Sequence, residues 1–434
     1  MKTRREFLRS TMLGASATWT VPMFIERTFA DLANGARDLA TQPVTGKDGT
    51  ILVVLQLAGG NDGLNTLVPY ADDIYHRSRP RLGKKESEIL KLSDYVGLNG
   101  SMPFMSEYFK QGHLGVVQGV GYPNPNRSHF VSTSIWETAD IEHRSNTGWL
   151  GRYFDNACKG ADPTVGISLN KTQPESFGAL KNPGVCLSSP ELYRWIHGGG
   201  EKAQAEEFFA SLNSPDDDDK PVDGGSIEMP AGGKVGGIQG ESNLDFLERV
   251  AMDARVSSAK IIELAAKYKS KVQYEGTPIS RSLNMVSRLI AGGLPTRVYY
   301  VSHGGFDTHN QQLNSHDRLL GQLDSALKSF FADLKDQGNA DRVTLMTFSE
   351  FGRRVDENAS AGTDHGRASC LFVAGGGVKG GLYGQYPSLS DLDVGDLKHH
   401  VDFRGVYASV LENWLKTPSA PILKGQFDKL KFMA

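Results

Sequence analysis

Apolar residues in this chain fall in short runs that stop at glycine. Ile51-Leu52-Val53-Val54-Leu55-Gln56-Leu57 is nearly unbroken, which predicts a central parallel strand buried on both faces. Leu114 to Gly119 reads as a second strand, Arg297 to Val301 as a third and Val343 to Phe348 as a fourth. Cys370 to Ala374 is a further apolar segment running into Gly375-Gly376-Gly377. Between the third and fourth strands, Leu319, Leu323, Leu327, Phe330 and Leu334 define an amphipathic helix. Leu247, Val250, Ala254, Ile261 and Ala265 recur in the same way within a helix expected over Asn243 to Lys269. Pro103 to Lys110 is a candidate short helix, and Asp402 is placed to cap a last one with Val406, Tyr407, Val410 and Trp414 on its buried side. Strand, loop, helix, strand, loop is the βαβ rhythm of an α/β fold, a doubly wound, mostly parallel sheet between helices.

Two stretches break this pattern. Thr3-Arg4-Arg5-Glu6-Phe7-Leu8-Arg9 sets paired arginines ahead of a weakly apolar segment, Ser10 to Phe24, and of small residues at Thr28-Phe29-Ala30. That is the layout of a twin-arginine export signal over residues 1–30, with the mature chain starting near Asp31. Asp216-Asp217-Asp218-Asp219-Lys220 lies in a Gly- and Pro-rich insertion near 202–239, read as solvated and mobile. The remainder, 31–434, is read as one domain.

The 434 residues are 39% hydrophobic, enough for a substantial core, and the formal charge of −3 argues against a nucleic-acid binder with a basic surface. After the signal no run of 18 or more apolar residues occurs, so no transmembrane segment is expected in the mature chain. Of three cysteines, Cys158 and Cys186 have the option of pairing in an oxidising compartment, and Cys370 starts an apolar strand, where packing is expected.

Chemistry gathers where the strands end. The first runs into Gly59-Gly60-Asn61-Asp62-Gly63, which suits either a metal carboxylate or a plain turn. The third leads to Asp307-Thr308-His309, and the fourth leads through Ser349-Glu350 to Gly362-Thr363-Asp364-His365-Gly366-Arg367. Asp62, Asp307 with His309, and Asp364 with His365 are carboxylates and imidazoles of the kind that suit zinc, manganese or iron. After the second strand comes Asn126-Arg127-Ser128-His129-Phe130. Ser128 is either a helix N-cap alone or a cap that is also a nucleophile, with Arg127 beside it to help bind an oxyanion. Glu350 is either a partner to a ligand or a structural carboxylate. His76, His113, His143, His197 and His316 are read as surface or core residues.

Taken together, Gly59-Gly60-Asn61-Asp62-Gly63, Asn126-Arg127-Ser128-His129-Phe130, Gly304-Gly305-Phe306-Asp307-Thr308-His309, Phe348-Ser349-Glu350-Phe351-Gly352-Arg353-Arg354, Gly362-Thr363-Asp364-His365-Gly366 and Asp402-Phe403-Arg404 resemble the DUF1501 family of exported proteins, over nearly the whole mature chain. That family is similar in fold to the alkaline phosphatase and sulfatase superfamily. The resemblance implies an αβα core with a divalent metal, zinc or manganese, as one or two ions, acting on phosphate or sulfate esters. On it, Asp62 corresponds to the metal aspartate after the first strand and Ser128 to the hydroxyl nucleophile. Asp307 and His309 would serve one metal, and Asp364 and His365 match the superfamily's Asp-His pair. Arg127 and Arg367 would hold the equatorial oxygens. The sequence departs from the superfamily in three ways. Asp-Thr-His is shorter than Asp-x-x-x-His, the late histidine has only His399 or His400 as candidates, and Cys/Ser-x-Pro-x-Arg is absent.

The expectation is a periplasmic or secreted metal-dependent hydrolase, delivered by the twin-arginine export machinery and acting on a small ester or a polysaccharide. The alternative is a catalytically silent exported binding protein that keeps the fold.

Overall fold

The computed structural model describes residues 49–158, 163–180, 184–187, 261 and 263–433. The expected signal at 1–30 and the insertion near 202–239 lie outside the described residues. So does His197, as does most of the helix expected over 243–269, of which 261 and 263–267 are helical.

A nine-stranded sheet forms the centre of the described residues. In chain order its strands are β1 (Ile51–Ala58), β2 (Leu114–Gly121), β3 (Gly166–Ser168), β4 (Val185–Cys186), β5 (Val298–Gly304), β6 (Val343–Phe348), β7 (Ser369–Gly375), β8 (Gly381–Tyr383) and β9 (Val401–Asp402). The spatial order is β8–β2–β7–β6–β1–β5–β3–β4, with β9 pairing β2. β1 lies between β5 and β6, parallel to both, with Leu52 opposite Val298 on one side and Thr344 on the other. Only β7 runs antiparallel among these strands, against both β2 and β6.

The unbroken apolar run of β1 follows from cover on both faces. Ile51, Val53, Leu55 and Leu57 point into one core, and Leu52 and Val54 into the other. The first core is closed by α4 (Pro278–Ala291) and α5 (Gln312–Asp336), the long amphipathic helix whose Leu320, Leu323, Leu327, Phe330 and Leu334 are essentially inaccessible. Each such side chain stabilises the fold by about 1.5–3 kcal/mol relative to exposure. The second core is closed by α2 (His129–Thr138), α3 (Trp149–Ala157) and α6 (Phe403–Ser409). The short helix α1 (Pro103–Lys110) and α6, capped by Asp402 through Arg404 N–H, fall where expected. Sequence reading leaves out α4, although Thr277 caps it and Pro278 occupies its first position. Cys158, Cys186 and Cys370 are all free thiols. No helix among the described residues is long and apolar enough to cross a membrane.

Candidate metal centre

Strand direction decides which side chains meet. β1, β2, β5 and β6 all end at one edge of the sheet, and β7, running the other way, begins there. The loops after β1, β2, β5 and β6 and the segment before β7 therefore share that edge. Their approach is close: a Cβ on Gly59, whose φ is +119°, would lie 2.4 Å from the backbone nitrogen of Asp307.

Arg353 ties these loops together. Its side chain is fully buried and donates to the carbonyls of Gly59, Gly60 (2.7 Å), Phe306 (3.0 Å) and Thr363 (3.0 Å). It also donates to Asp307 Oδ1 at 2.8 Å. Burial works against ionising Asp307, but Arg353, through its hydrogen bond and its charge, brings the carboxyl down to about 2.

Three imidazoles surround that carboxylate. His365 Nε2 and His309 Nε2 stand 3.2 and 3.1 Å from Asp307 Oδ1, and 2.9 Å from each other. His129 Nε2 lies 3.5 Å from Asp307 Oδ2. In each ring Nδ1 is turned outward to an acceptor. His365 Nδ1 meets the Arg127 carbonyl at 2.8 Å, and a carbonyl can only accept, so the proton sits on Nδ1. His129 Nδ1 meets Glu350 Oε1 at 2.8 Å, and His309 Nδ1 lies 3.4 Å from Asp364 Oδ1. Each ring thus turns its Nε2 towards the Asp307 carboxylate, and on His365 that nitrogen carries the lone pair. His129 Nε2 is buried without any hydrogen-bond partner. Phe351 backs the arrangement, its ring 4.9 Å from that of His129 and 4.5 Å from that of His365.

Imidazole nitrogens gathered around a carboxylate are a donor set that suits a divalent cation. With bonds of about 2.0–2.1 Å, a tetrahedral ion sets its ligand atoms about 3.3–3.4 Å apart. The separations of 2.9–3.5 Å found here fit that edge. His129, Asp307 and His365 each offer a ligand atom within 4.8 Å of the other two, and His309 Nε2 stands beside Asp307 and His365. Residues of this set therefore fit one divalent ion.

The expected residues divide. Asp307, His309 and His365 come together, and Asp364 orients His309 from outside, itself held by Asn358 at 3.2 Å. Asp62, expected as a ligand, is instead fully buried and committed elsewhere: Arg79 donates to it at 2.6 Å, Leu64 N–H at 3.2 Å, and Gln312 to the same oxygen as Arg79. Burial raises its carboxyl, yet Arg79 outweighs burial and holds it below the usual range. Arg127 and Arg367, expected to hold substrate oxygens, both pair with buried Asp396, and Arg367 with Asp393 as well. Asp393 and Asp396 belong to a tight hairpin, Leu392–Asp393 with Asp396–Leu397. Ser128 is the exposed N-cap of α2, and its hydroxyl makes no cap bond. Glu350 Oε1 contacts His129 Nδ1 and accepts from Gly59 N–H, both at 2.8 Å. His400 is exposed, its N–H bonded to Gly119, and His399 lines a neighbouring cavity. Sequence reading misses His129, although it stands beside Ser128 in a quoted motif.

No curated protein matches the sequence. Among solved structures, a protein in the alkaline phosphatase superfamily from Vibrio parahaemolyticus aligns at 7% identity and TM-score 0.35, over 93% of this chain and 78% of that one. PsFucS1 sulfatase from Pseudoalteromonas sp. aligns at 11% and 0.34, over 95% and 77%. Alkaline phosphatase from the Antarctic bacterium TAB5 aligns at 8% and 0.31, over 77% and 92%. The family model described as protein of unknown function (DUF1501) matches residues 249–412, the stretch that carries Asp307, His309, Glu350, Asp364 and His365, and the resemblance to that family holds there.

Proposed function

We propose that this chain is an exported metal-dependent hydrolase of phosphate or sulfate esters, with His129, Asp307, His309 and His365 holding one divalent ion. The observation that carries the reading is the outward anchoring of three Nδ1 groups, which turns three Nε2 atoms towards Asp307. A zinc- or manganese-like ion there would supply Lewis acidity at the sheet edge. The protein's own part is positional. Arg353 fixes Asp307, and Glu350 and Asp364 fix the imidazoles. Ser128, whose hydroxyl is not used by its helix, would take the phosphoryl or sulfuryl group. The alcohol leaves with the serine proton, and water then releases the group from Ser128. The helix N-terminus at Ser128 favours the anion.

A second reading, a metal-binding protein without ester chemistry, is favoured by one feature: Arg127 and Arg367 are both held by hairpin carboxylates. Elemental analysis of the full chain purified after export, with assays on 4-nitrophenyl phosphate and 4-nitrophenyl sulfate, separates these. The expected result is a stoichiometric divalent ion, lost in His365→Ala and kept in Ser128→Ala, with hydrolysis lost in both. Protein that takes up no ion on reconstitution sinks the metal reading. Metal without hydrolysis supports the second. Export is tested apart: Arg4 and Arg5 both changed to Lys should hold folded protein inside the cell.

A further inference from the structure

Beside the candidate metal centre lies a cavity of about 540 Å³. It adjoins the centre through Glu350, which holds His129, and Phe351, which packs on the rings of His129 and His365. Its walls contain two polar groups of opposite kind. Trp136 is 4% exposed, and its Nε1–H is buried with no acceptor among the described residues. Glu350 has its Oε1 taken by Gly59 N–H and His129, whereas Oε2 has only a 3.4 Å contact from Ser349. An indole nitrogen only donates and a carboxylate only accepts. The small group that answers both is a hydroxyl.

The cavity's cations are already matched. Arg367 pairs with Asp393 and Asp396, and Lys398 with Asp391. Charge at the walls therefore gives no strong pull on a second anion. Tyr122 and Phe351 supply aromatic surface, and half-buried His399 adds an imidazole with no hydrogen-bond partner among the described residues. A concave wall with aromatic surface and a few placed polar groups is the mark of a small-molecule site.

We propose that this cavity binds a neutral, polyhydroxylated ring of sugar size, the alcohol part of the ester presented to the metal centre, with one hydroxyl accepting from Trp136 Nε1–H and donating to Glu350. The inference rests on the proposed metal-dependent hydrolase for its role in the reaction, but the binding itself does not need the ion.

The test is ligand-observed NMR titration of the full chain, stripped with EDTA, using methyl α-D-glucopyranoside and methyl α-D-galactopyranoside, with benzoate as an anionic ring control. At least one glycoside should bind, and benzoate should neither bind nor compete. Trp136→Phe, which keeps the ring and removes the donor, should weaken glycoside binding roughly five- to tenfold. Trp136 is a core residue, so His399→Ala, at a half-buried wall position, serves if that variant does not fold, with weakening of the same order. Absence of glycoside binding, unchanged affinity in the folded variant, or displacement by benzoate overturns the proposal. Because the ion is absent in this titration, glycoside binding to a protein that never takes up metal keeps the cavity and removes the hydrolase. Metal uptake without glycoside binding does the reverse.

Discussion

Asp62 and Asp307 both follow a strand at the same edge of the sheet, and each receives an arginine, Arg79 at 2.6 Å and Arg353 at 2.8 Å. A histidine stands near each as well. Around Asp62 every neighbour answers the carboxylate with a donor: Arg79, Gln312 and a backbone N–H. His316, next to this network, is fully buried and turns Nε2 to Asn61 at 2.9 Å. Burial drives its pKa down to about 4, so it is neutral at ordinary pH. Around Asp307 the arginine answers one oxygen, and three imidazoles turn Nε2 to the carboxylate. The same residue types build a closed structural network in one place and an open, part-exposed cluster in the other, the one proposed above to hold an ion. Donor and acceptor balance separates the two, where residue identity does not.

The comparison breaks most visibly at Arg79. Arg79→Met leaves Asp62 as a buried charge without its partner and should destabilise the protein by about 3–5 kcal/mol, read by denaturant unfolding. The metal content of the folded fraction should not change. A loss of metal there would return Asp62 to the ligand set.

The next effect comes from pH. The unfolded chain protonates His316 near its ordinary value of 6.5, whereas the folded one resists until about 4. Between those values the unfolded state binds more protons, so stability is full above about pH 6.5 and falls as pH drops towards 4, by on the order of 3 kcal/mol. His316→Gln should flatten this slope in urea titrations across the window.

Glu350→Gln probes the other network. Losing the carboxylate behind His129 should weaken metal binding about 10–100-fold in competition with a chelator. The metal-free protein should unfold almost as the wild type does, since glutamine can still accept from Gly59 N–H. Equal metal affinity would make Glu350 a structural carboxylate only.

The smallest effect belongs to Ser128. Its hydroxyl makes no cap bond, so Ser128→Ala should change stability by less than about 0.5 kcal/mol in thermal unfolding. A loss above about 1 kcal/mol would mean that the hydroxyl caps the helix in solution.

The strands and the long helix α5 were legible because local periodicity reports burial. Val343 to Phe348 and Pro103 to Lys110 have the expected bounds. The loops bearing Asp307, His309, Asp364 and His365 were legible because polar, Gly-rich strand ends gather at one edge. Asp62 misled because its partner Arg79 lies seventeen positions on, just past a short helix, and nothing local marks that pair. His129 was overlooked because Ser128 beside it offered a helix-capping explanation of the same motif. The reversed direction of β7 also escaped, since an apolar run carries no sign of direction.

That reversal governs how the site tolerates change. Because β6 arrives at the site edge and β7 departs from it, residues 349–368 leave and return on the same side of the sheet. A parallel connection must cross the molecule and is bound to the helix that carries it. This excursion has no such obligation, yet it supplies Glu350, Arg353, Asp364, His365 and Arg367. Its outer turn at Ala359 and Ser360 is exposed. Added or removed residues there would ask no strand to move, but would act on the segment after His309, because the Ser360 and Ala361 carbonyls accept from Gln311 and Gln312 N–H.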